Sequence, residues 1–429
     1  MNNRREIPRG KIGLNTPSIS RLPAATSGLL SLALILGTTM SAVSADPSVV
    51  AVPGPAWTRH TIDASSLGAD GVKLGDVNRD GLPDIATGWE EGGEVRVYLN
   101  PGPRAAKDPW PRVTAGQAAN VEDAIFADVD GDGLLDVVSC CEGKTRTVFW
   151  HRFSGDADNP LDTNCWATVA FPATQNSQAW MQATVMDLDG QHHLDLLLAS
   201  KNRGGAVGWL QSPKQPAKTE DWQYHPLRSA GWVMSLIPTD LNGDGQLDVV
   251  LSDRKGTRAG LFWLENPGPA ANRQSAPWKE HALGALGREV MFADVADFNC
   301  DSLADVAVAV KPVDVFLFLQ GPRGQWQESV IHLDGTRLGD AKAVKLADVN
   351  GDRLTDLIFT CENAKGDREG VVWLEQQADG PWRQHALGGP AGVKYDLVQT
   401  LDLDADGDLD VITCEERDQL GVIWYENPR

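Results

Sequence analysis

The chain has 429 residues, 42% of them hydrophobic, with 15 Trp, 6 Cys and a formal net charge of -21. That composition excludes a disordered acidic chain and a small disulfide-stapled domain; the negative field excludes non-specific nucleic-acid binding. Length alone allows two or three domains, or one large repetitive one.

Arg4, Arg5, Arg9, Lys11 and Arg21 oppose a single Glu6 at the N-terminus, an apolar run follows from Leu29 to Gly37, and Val43 and Ala45 offer the small residues of a cleavage site. This order predicts a secretory signal over residues 1–45, and so an exported, periplasmic or extracellular protein. The apolar run is short for a bilayer span, although an uncleaved anchor is the alternative. Residues 46–56 read as a short Pro-rich linker. No later stretch is apolar enough to cross a membrane, so the mature chain is expected to lack a transmembrane segment and to act as a monomer.

From residue 57 onward one unit recurs. Its clearest copy is Asp128-Val-Asp130-Gly-Asp132-Gly-Leu-Leu-Asp136, and further copies start at Asp76, Asp187, Asp240, Asp297, Asp348 and Asp402. A period of 51 to 59 residues, with Asp at positions 1 and 9 every time, marks a repeat architecture. Each unit reads as four short strands. Strand A leads into the motif, as in Ala124–Val129, and strand B follows it, as in Asp136–Ser139. Strand C carries an aromatic, as in Val422-Ile-Trp424-Tyr, and strand D carries Trp, often as Trp-x-x-His. These runs are β-branched or alternating and are bounded by Gly, Asn and Pro. Seven such units predict an all-β fold, a seven-bladed β-propeller with four-stranded blades. Trp57-Thr-Arg-His60 matches strand D, and the last unit stops at strand C. The N-terminal strand is therefore expected to complete the last blade and close the ring, so that residues 57–429 form one domain.

Positions 1, 3, 5 and 9 bring four oxygen-bearing side chains to each A–B turn, with a backbone carbonyl available at position 7. Such a set suits a hard cation, and Ca²⁺ above Mg²⁺ because a flexible cage favours the larger ion. The expected ligands are Asp76, Asn78, Asp80 and Asp84; Asp128, Asp130, Asp132 and Asp136; Asp240, Asn242, Asp244 and Asp248; Asp297, Asn299, Asp301 and Asp305; Asp348, Asn350, Asp352 and Asp356; Asp402, Asp404, Asp406 and Asp410. Gly at position 6 suits a left-handed backbone; Ser302 and Arg353 stand there in two copies and make those sites doubtful. The copy at Asp187 has Gln191 and His192 and is expected to be empty. The metal is expected to be structural, since these loops fill the coordination sphere that a catalytic ion keeps open.

These loops resemble the FG-GAP or VCBS-type calcium-loop propellers, a likeness that covers all seven units and implies the fold rather than one function. The strand signature Trp263-Leu-Glu-Asn266-Pro followed by Trp278-Lys-Glu-His281 is similar, more narrowly, to the propeller part of aldos-2-ulose dehydratase-like enzymes, whose cupin-like domains find no counterpart here.

Twelve Trp recur with the repeat: Trp57, Trp110, Trp166, Trp222, Trp278, Trp326 and Trp382 on strand D, and Trp150, Trp209, Trp263, Trp373 and Trp424 on strand C, with Tyr98 expected in the strand C slot of blade 1. Packing between blades explains them. Trp89, Trp180 and Trp232 fall outside the pattern and are expected on the face opposite the metal loops, where they would stack on sugar rings. At the end of strand B the series Glu90, Glu142, Lys201, Arg254, Lys311, Glu362 and Glu416 divides that face into a basic arc on blades 3 to 5 and an acidic arc on the others. Segments between strands D and A add Lys73, Glu122, Arg288, Lys342 and Tyr395 to the same face. A basic arc would hold uronate or sulfate groups, and Lys, Tyr or a carboxylate would abstract an acidic proton beside a carbonyl. The first functional reading is therefore an exported propeller binding a carbohydrate or another extracellular or cell-surface ligand. A lyase or dehydratase on acidic or keto sugars, and a protein-interaction scaffold, are the alternatives. Among the cysteines, Cys361 with Cys414, and Cys165 with Cys140 or Cys141, are candidate disulfides.

Overall fold

The computed structural model describes residues 47–54, 56–156 and 159–428; the expected signal segment lies outside them. In blade 1, strand A is Ala69–Gly75, B is Asp84–Trp89, C is Glu94–Tyr98 and D is Arg112–Gln117, hydrogen-bonded in that order. Six further antiparallel sheets repeat the pattern, opening on strands A at Val121–Ala127, Ala179–Met186, Val233–Thr239, Val290–Ala296, Asp340–Ala347 and Tyr395–Leu401. The molecule is a seven-bladed β-propeller. Strand B is buried almost throughout in every blade. After its leading Asp it reads as a mostly apolar run broken only by small polar residues until its end, because neighbouring blades cover both of its faces.

Ring closure is the work of Thr58–Asp63, which pairs antiparallel with Gly421–Glu426 and sets His60 opposite Trp424. An additional short strand, Val49–Ala51, runs parallel to Trp382–Gln384 at the edge of blade 6, so part of the expected linker is built into the propeller. Strands A line the central channel and are tied across blades. Ala183 N donates to Asp123 Oδ2 (3.0 Å), Ala293 N to Ser235 Oγ (3.0 Å) and Leu346 N to Asp294 Oδ2 (2.9 Å).

The repeating aromatics pack between blades. Trp424, Trp373, Trp263 and Trp209 stack on His60, His385, His281 and His225 with ring centroids 4.1 to 4.7 Å apart. Tyr98 departs from this set. Trp150, Trp209 and Trp263 lie opposite the residue two past the ninth-position Asp, whereas Tyr98 lies opposite Ile85, one past it. Val97 fills the blade 1 slot, and the pleat turns Tyr98 to the other side of the sheet, where Trp89 Nε1 donates to its hydroxyl (2.8 Å). All six cysteines are free thiols, so neither candidate disulfide forms.

Candidate functional site

The A–B loops are built from their own side chains. In the loop at Asp76, Asp80 N donates to Asp76 Oδ1 (3.1 Å) and Asn78 Oδ1 (3.2 Å), Gly81 N to Asp76 Oδ2 (3.0 Å) and Leu82 N to Asp80 Oδ1 (2.8 Å). The loops at Asp240, Asp297 and Asp348 repeat these contacts. Ser302 and Arg353 therefore do not distort their loops: they take φ of +69° and +71°, close to the +87° and +84° of Gly81 and Gly245, at the local cost of a left-handed side-chain-bearing residue. The ninth Asp has a second role. Asp248 Oδ2 accepts from Leu241 N (3.3 Å) and its Oδ1 from Asn266 N (2.8 Å), which pins the turn to the end of strand C. All seven blades share this pair of bonds.

Whether these residues fit a hard cation depends on oxygens left over after those bonds. Where position 3 is Asp, they are present. Asp128, Asp130 and Asp132 bring carboxylate oxygens within 4.8 Å of one another, as do Asp402, Asp404 and Asp410. Asp128 Oδ1 and Asp404 Oδ1 are buried and accept no hydrogen bond from any described residue. Arg152 lies 2.6 Å from Asp130 Oδ2 and Lys107 3.1 Å from Asp404 Oδ2, but the carboxylates still outnumber these cations, and such a surplus of oxygens at one point fits a divalent ion. The loop at Asp187 also gathers three carboxylates, Asp187, Asp189 and Asp195, although position 5 is Gln191.

The opposite face carries a pocket of about 270 Å³ at the channel mouth, whose lining includes five acidic and five basic residues. Strand B ends supply Glu90, Glu142, Lys201, Arg254 and Glu362, and strand A starts or the turns before them supply Asp70, Glu122, Lys342 and Lys394. Lys201 Nζ lies 3.0 Å from Glu122 and 2.5 Å from Glu142. Arg254 pairs with Glu289 (2.7 Å), and Lys342 with Asp396 (2.7 Å). Lys311 pairs with Glu362 and Lys394 with Glu416. The two expected arcs are thus interleaved. Lys342 and Lys394 stand among the acidic blades and Glu289 among the basic ones, so acids and bases alternate around the mouth and most of its bases hold an acid.

Burial divides the titrating groups. It pushes the Glu122 carboxyl up to about 8, with the Glu142 charge adding to the effect and Lys201 opposing it. Burial also raises Glu416 to about 7 and lifts Asp70 well above the carboxylate range, where Asp396 and Glu416 add like charge. For Glu362 burial would do the same, but Lys342, Lys311 and Arg254 outweigh it and hold the group low. Burial would lower Lys342; Asp396 and Glu416 outweigh that and keep it protonated.

The three non-repeating tryptophans part company. Trp232 lines the pocket, with Lys201, Lys255 and Arg254 at 4.3, 4.5 and 4.6 Å from its ring centroid. Its face holds cations rather than lying open to a sugar. Trp89 and Trp180 are each 1% exposed and have their indole N–H groups bound by Tyr98 Oη and Thr174 O. They are core residues, because the strands that carry them point them between blades. Tyr395 is fully buried, donating to Ala391 O and meeting Tyr425 Oη, and so offers no accessible base. Arg288 pairs with Asp314 over the Phe316 ring, outside the pocket lining, and Lys73 pairs with Asp123 across strands A of blades 1 and 2 (3.6 Å). Reading by residue class missed Asp396, Arg417, Met181 and Met234. The first two directly follow the singled-out Tyr395 and Glu416, and adjacency was their available signal.

No helix among the described residues is long and apolar enough to cross a membrane. Comparison with curated proteins gives no match. A family model, the FG-GAP-like repeat, matches residues 76–139, 187–251, 240–308 and 348–413, together more than half of the chain. With seven blades that each carry an Asp-rich A–B loop, the chain belongs to the FG-GAP-like repeat family.

Proposed function

We propose that this is an exported, calcium-stabilised propeller that binds a small charged ligand, an acidic or zwitterionic sugar, at the channel mouth opposite its metal loops. The observation that carries this reading is the interleaved ring of acids and bases around Trp232. A concave site with a few convergent charged groups and shifted carboxyl pKa values is the usual form of a small-molecule site. Arg254 and Lys201 would take a carboxylate or sulfate by charge-assisted hydrogen bonds, while Glu90 and Glu142 would accept hydroxyl or ammonium donors. Recognition would rest on charge rather than on stacking, since Trp232 is the one non-repeating tryptophan in the lining and its face is taken by cations.

The narrower likeness to dehydratase-like propellers has a structural explanation. Trp263 stacks on His281, and His281 Nε2 lies 2.7 Å from Glu265, so the signature describes a packing unit. A lyase or dehydratase remains the second reading because Glu122, raised to about 8, is a proton carrier poised near neutral pH. An array of acidic, amino and neutral glycans tests the first reading. Binding of charged glycans that is lost in Arg254→Met and kept in Trp180→Phe supports it; no binding, or binding of neutral glycans alone, rejects it. Ultraviolet detection of unsaturated products from uronate polymers, lost in Glu122→Gln, would favour the second.

A further inference from the structure

The turns between strands B and C differ in charge around the ring. In blades 2, 3 and 4 they run over residues 142–147, 202–205 and 254–259 and carry six bases, Lys144, Arg146, Arg203, Arg254, Lys255 and Arg258, against one acid, Glu142. In blades 7 and 1 they run over residues 416–420 and 90–93 and carry four acids against one base. The mouth itself is mixed, but the basic turns extend outward from it. In a chain of net charge -21 this patch reverses the local field and attracts anions. Little within the protein neutralises it. Arg254 pairs with Glu289 and Arg258 with Glu280, while the other four bases hold no acid among the described residues. Arg146 donates to a neutral carbonyl, Ser177 O, and Lys255 lies over the Trp232 ring. The side chains of Lys144 and Arg203 are exposed and bond no described residue.

A second cavity, also of about 270 Å³, lies along this patch, and its lining includes Glu142, Arg146, Lys201, Asn202 and Arg203. Glu142 and Lys201 line the mouth pocket as well, so the two cavities adjoin. Their shared wall is an ion pair of 2.5 Å, in which acid and base cancel. Cations stand on either side of that wall, Arg254 in the mouth and Arg146 with Arg203 in the outer cavity.

We infer that the ligand of the mouth is one end of an acidic polysaccharide, which continues over the boundary of blades 2 and 3 and sets the anionic group of its next unit between Arg146 and Arg203. The inference rests on the reading of the mouth as a charged-sugar site and adds a second subsite, a polymeric ligand and a direction. A chain with one anion per unit matches cations placed on both sides of a neutral wall. The uncharged glycosidic linkage would cross Glu142 and Lys201, and a carboxylate or sulfate on either side would meet a guanidinium, whose planar fork suits both groups. The acidic turns of blades 7 and 1 would repel the chain, so it would leave the mouth toward the basic blades. Once one unit is held, the next meets the outer cavity at high effective concentration.

Calorimetric titration of the full chain tests this with galacturonate, its dimer and its hexamer, and with sulfated galactan oligomers of the same lengths. The two series separate a carboxylate ligand from a sulfate one. Within the series that binds, affinity is expected to rise by about tenfold or more from one unit to six. Replacing Arg146 and Arg203 together by Ala should bring the hexamer down to the level of the monosaccharide. Arg203→Glu, at an exposed side chain that touches nothing, should weaken the hexamer by itself and keeps the test decisive if the double variant fails to fold. A monosaccharide bound as tightly as the hexamer, or hexamer binding indifferent to both variants, would overturn the inference and leave the mouth reading in place. Hexamer binding that falls with Arg203→Glu but survives Arg254→Met would overturn the continuous path from mouth to outer cavity. Equal capture of polyphosphate of the same charge would show a bare electrostatic patch and overturn the inference too, and no binding in either series would overturn both readings.

Discussion

At the scale of residues, one side chain type does two jobs in the A–B loop. The first Asp, as at the half-buried Asp240, accepts only from its own loop, while the ninth, as at Asp248, is buried and bonds two backbone N–H groups from different segments. Asp248→Ala leaves both donors buried and unpaired, so we expect a loss of about 2 kcal/mol or more in unfolding free energy, in calcium and in chelator alike. Asp240→Ala should cost little in chelator and remove only the calcium-dependent part. Denaturant melts of both variants under both conditions separate the two roles; equal losses in all conditions would refute the division. At the channel mouth the Glu122 carboxyl sits higher when folded, at about 8, than a free glutamate. The folded state then holds the extra proton between the ordinary glutamate range and about pH 8, so the native protein should lose stability as pH rises through that window. Glu122→Gln should flatten this loss at constant calcium, measured by urea melts from pH 5 to 9; a profile parallel to the native one would contradict the assignment. These residues also mark where sequence reading stopped. Glu90, Glu142, Lys201 and Arg254 were legible as a set because the repeat gave them one offset. Whether Trp180 faced a channel or a core depended on the pleat and a β-bulge between Trp180 and Gln182, which no spacing encodes.

At the scale of elements, the four-strand unit was legible because its punctuation and its Asp motif recur seven times, and one strand missing at the C-terminus matched one extra at the N-terminus. Register was harder to read. Tyr98 slips one place from the aromatic slot, and a slip of one residue moves a side chain to the opposite face. Val49–Ala51 was read as linker because three residues carry no periodicity; its parallel pairing with blade 6 is a tertiary fact. Closure by Thr58–Asp63 makes a specific demand. Deleting residues through 63 exposes the backbone edge of Gly421–Glu426, an open template for pairing with another chain. We expect such a truncation to lose the monomer peak in size-exclusion chromatography in favour of dimers or aggregates, and a monomer with the native melting temperature would show that the closing strand is dispensable.

At the scale of the whole molecule, the net charge of -21 has a location. Twenty-three Asp stand at the ligand positions of the seven loops, all on one face, while the opposite mouth balances its acids with bases. The acidity is therefore a concentrated field on the loop face, and without cations those carboxylates repel one another across each turn. A bound divalent ion would relieve that repulsion and stabilise the ring by mass action, about 2.7 kcal/mol per site at a hundredfold excess over the dissociation constant. The most direct measurement is a calorimetric melt of the metal-stripped protein as Ca²⁺ is titrated in, with Mg²⁺ as the comparison. A midpoint that rises with Ca²⁺ over several sites, and rises less with Mg²⁺, is the result expected of a propeller held by its loops; a midpoint identical in chelator and in saturating Ca²⁺ would contradict it.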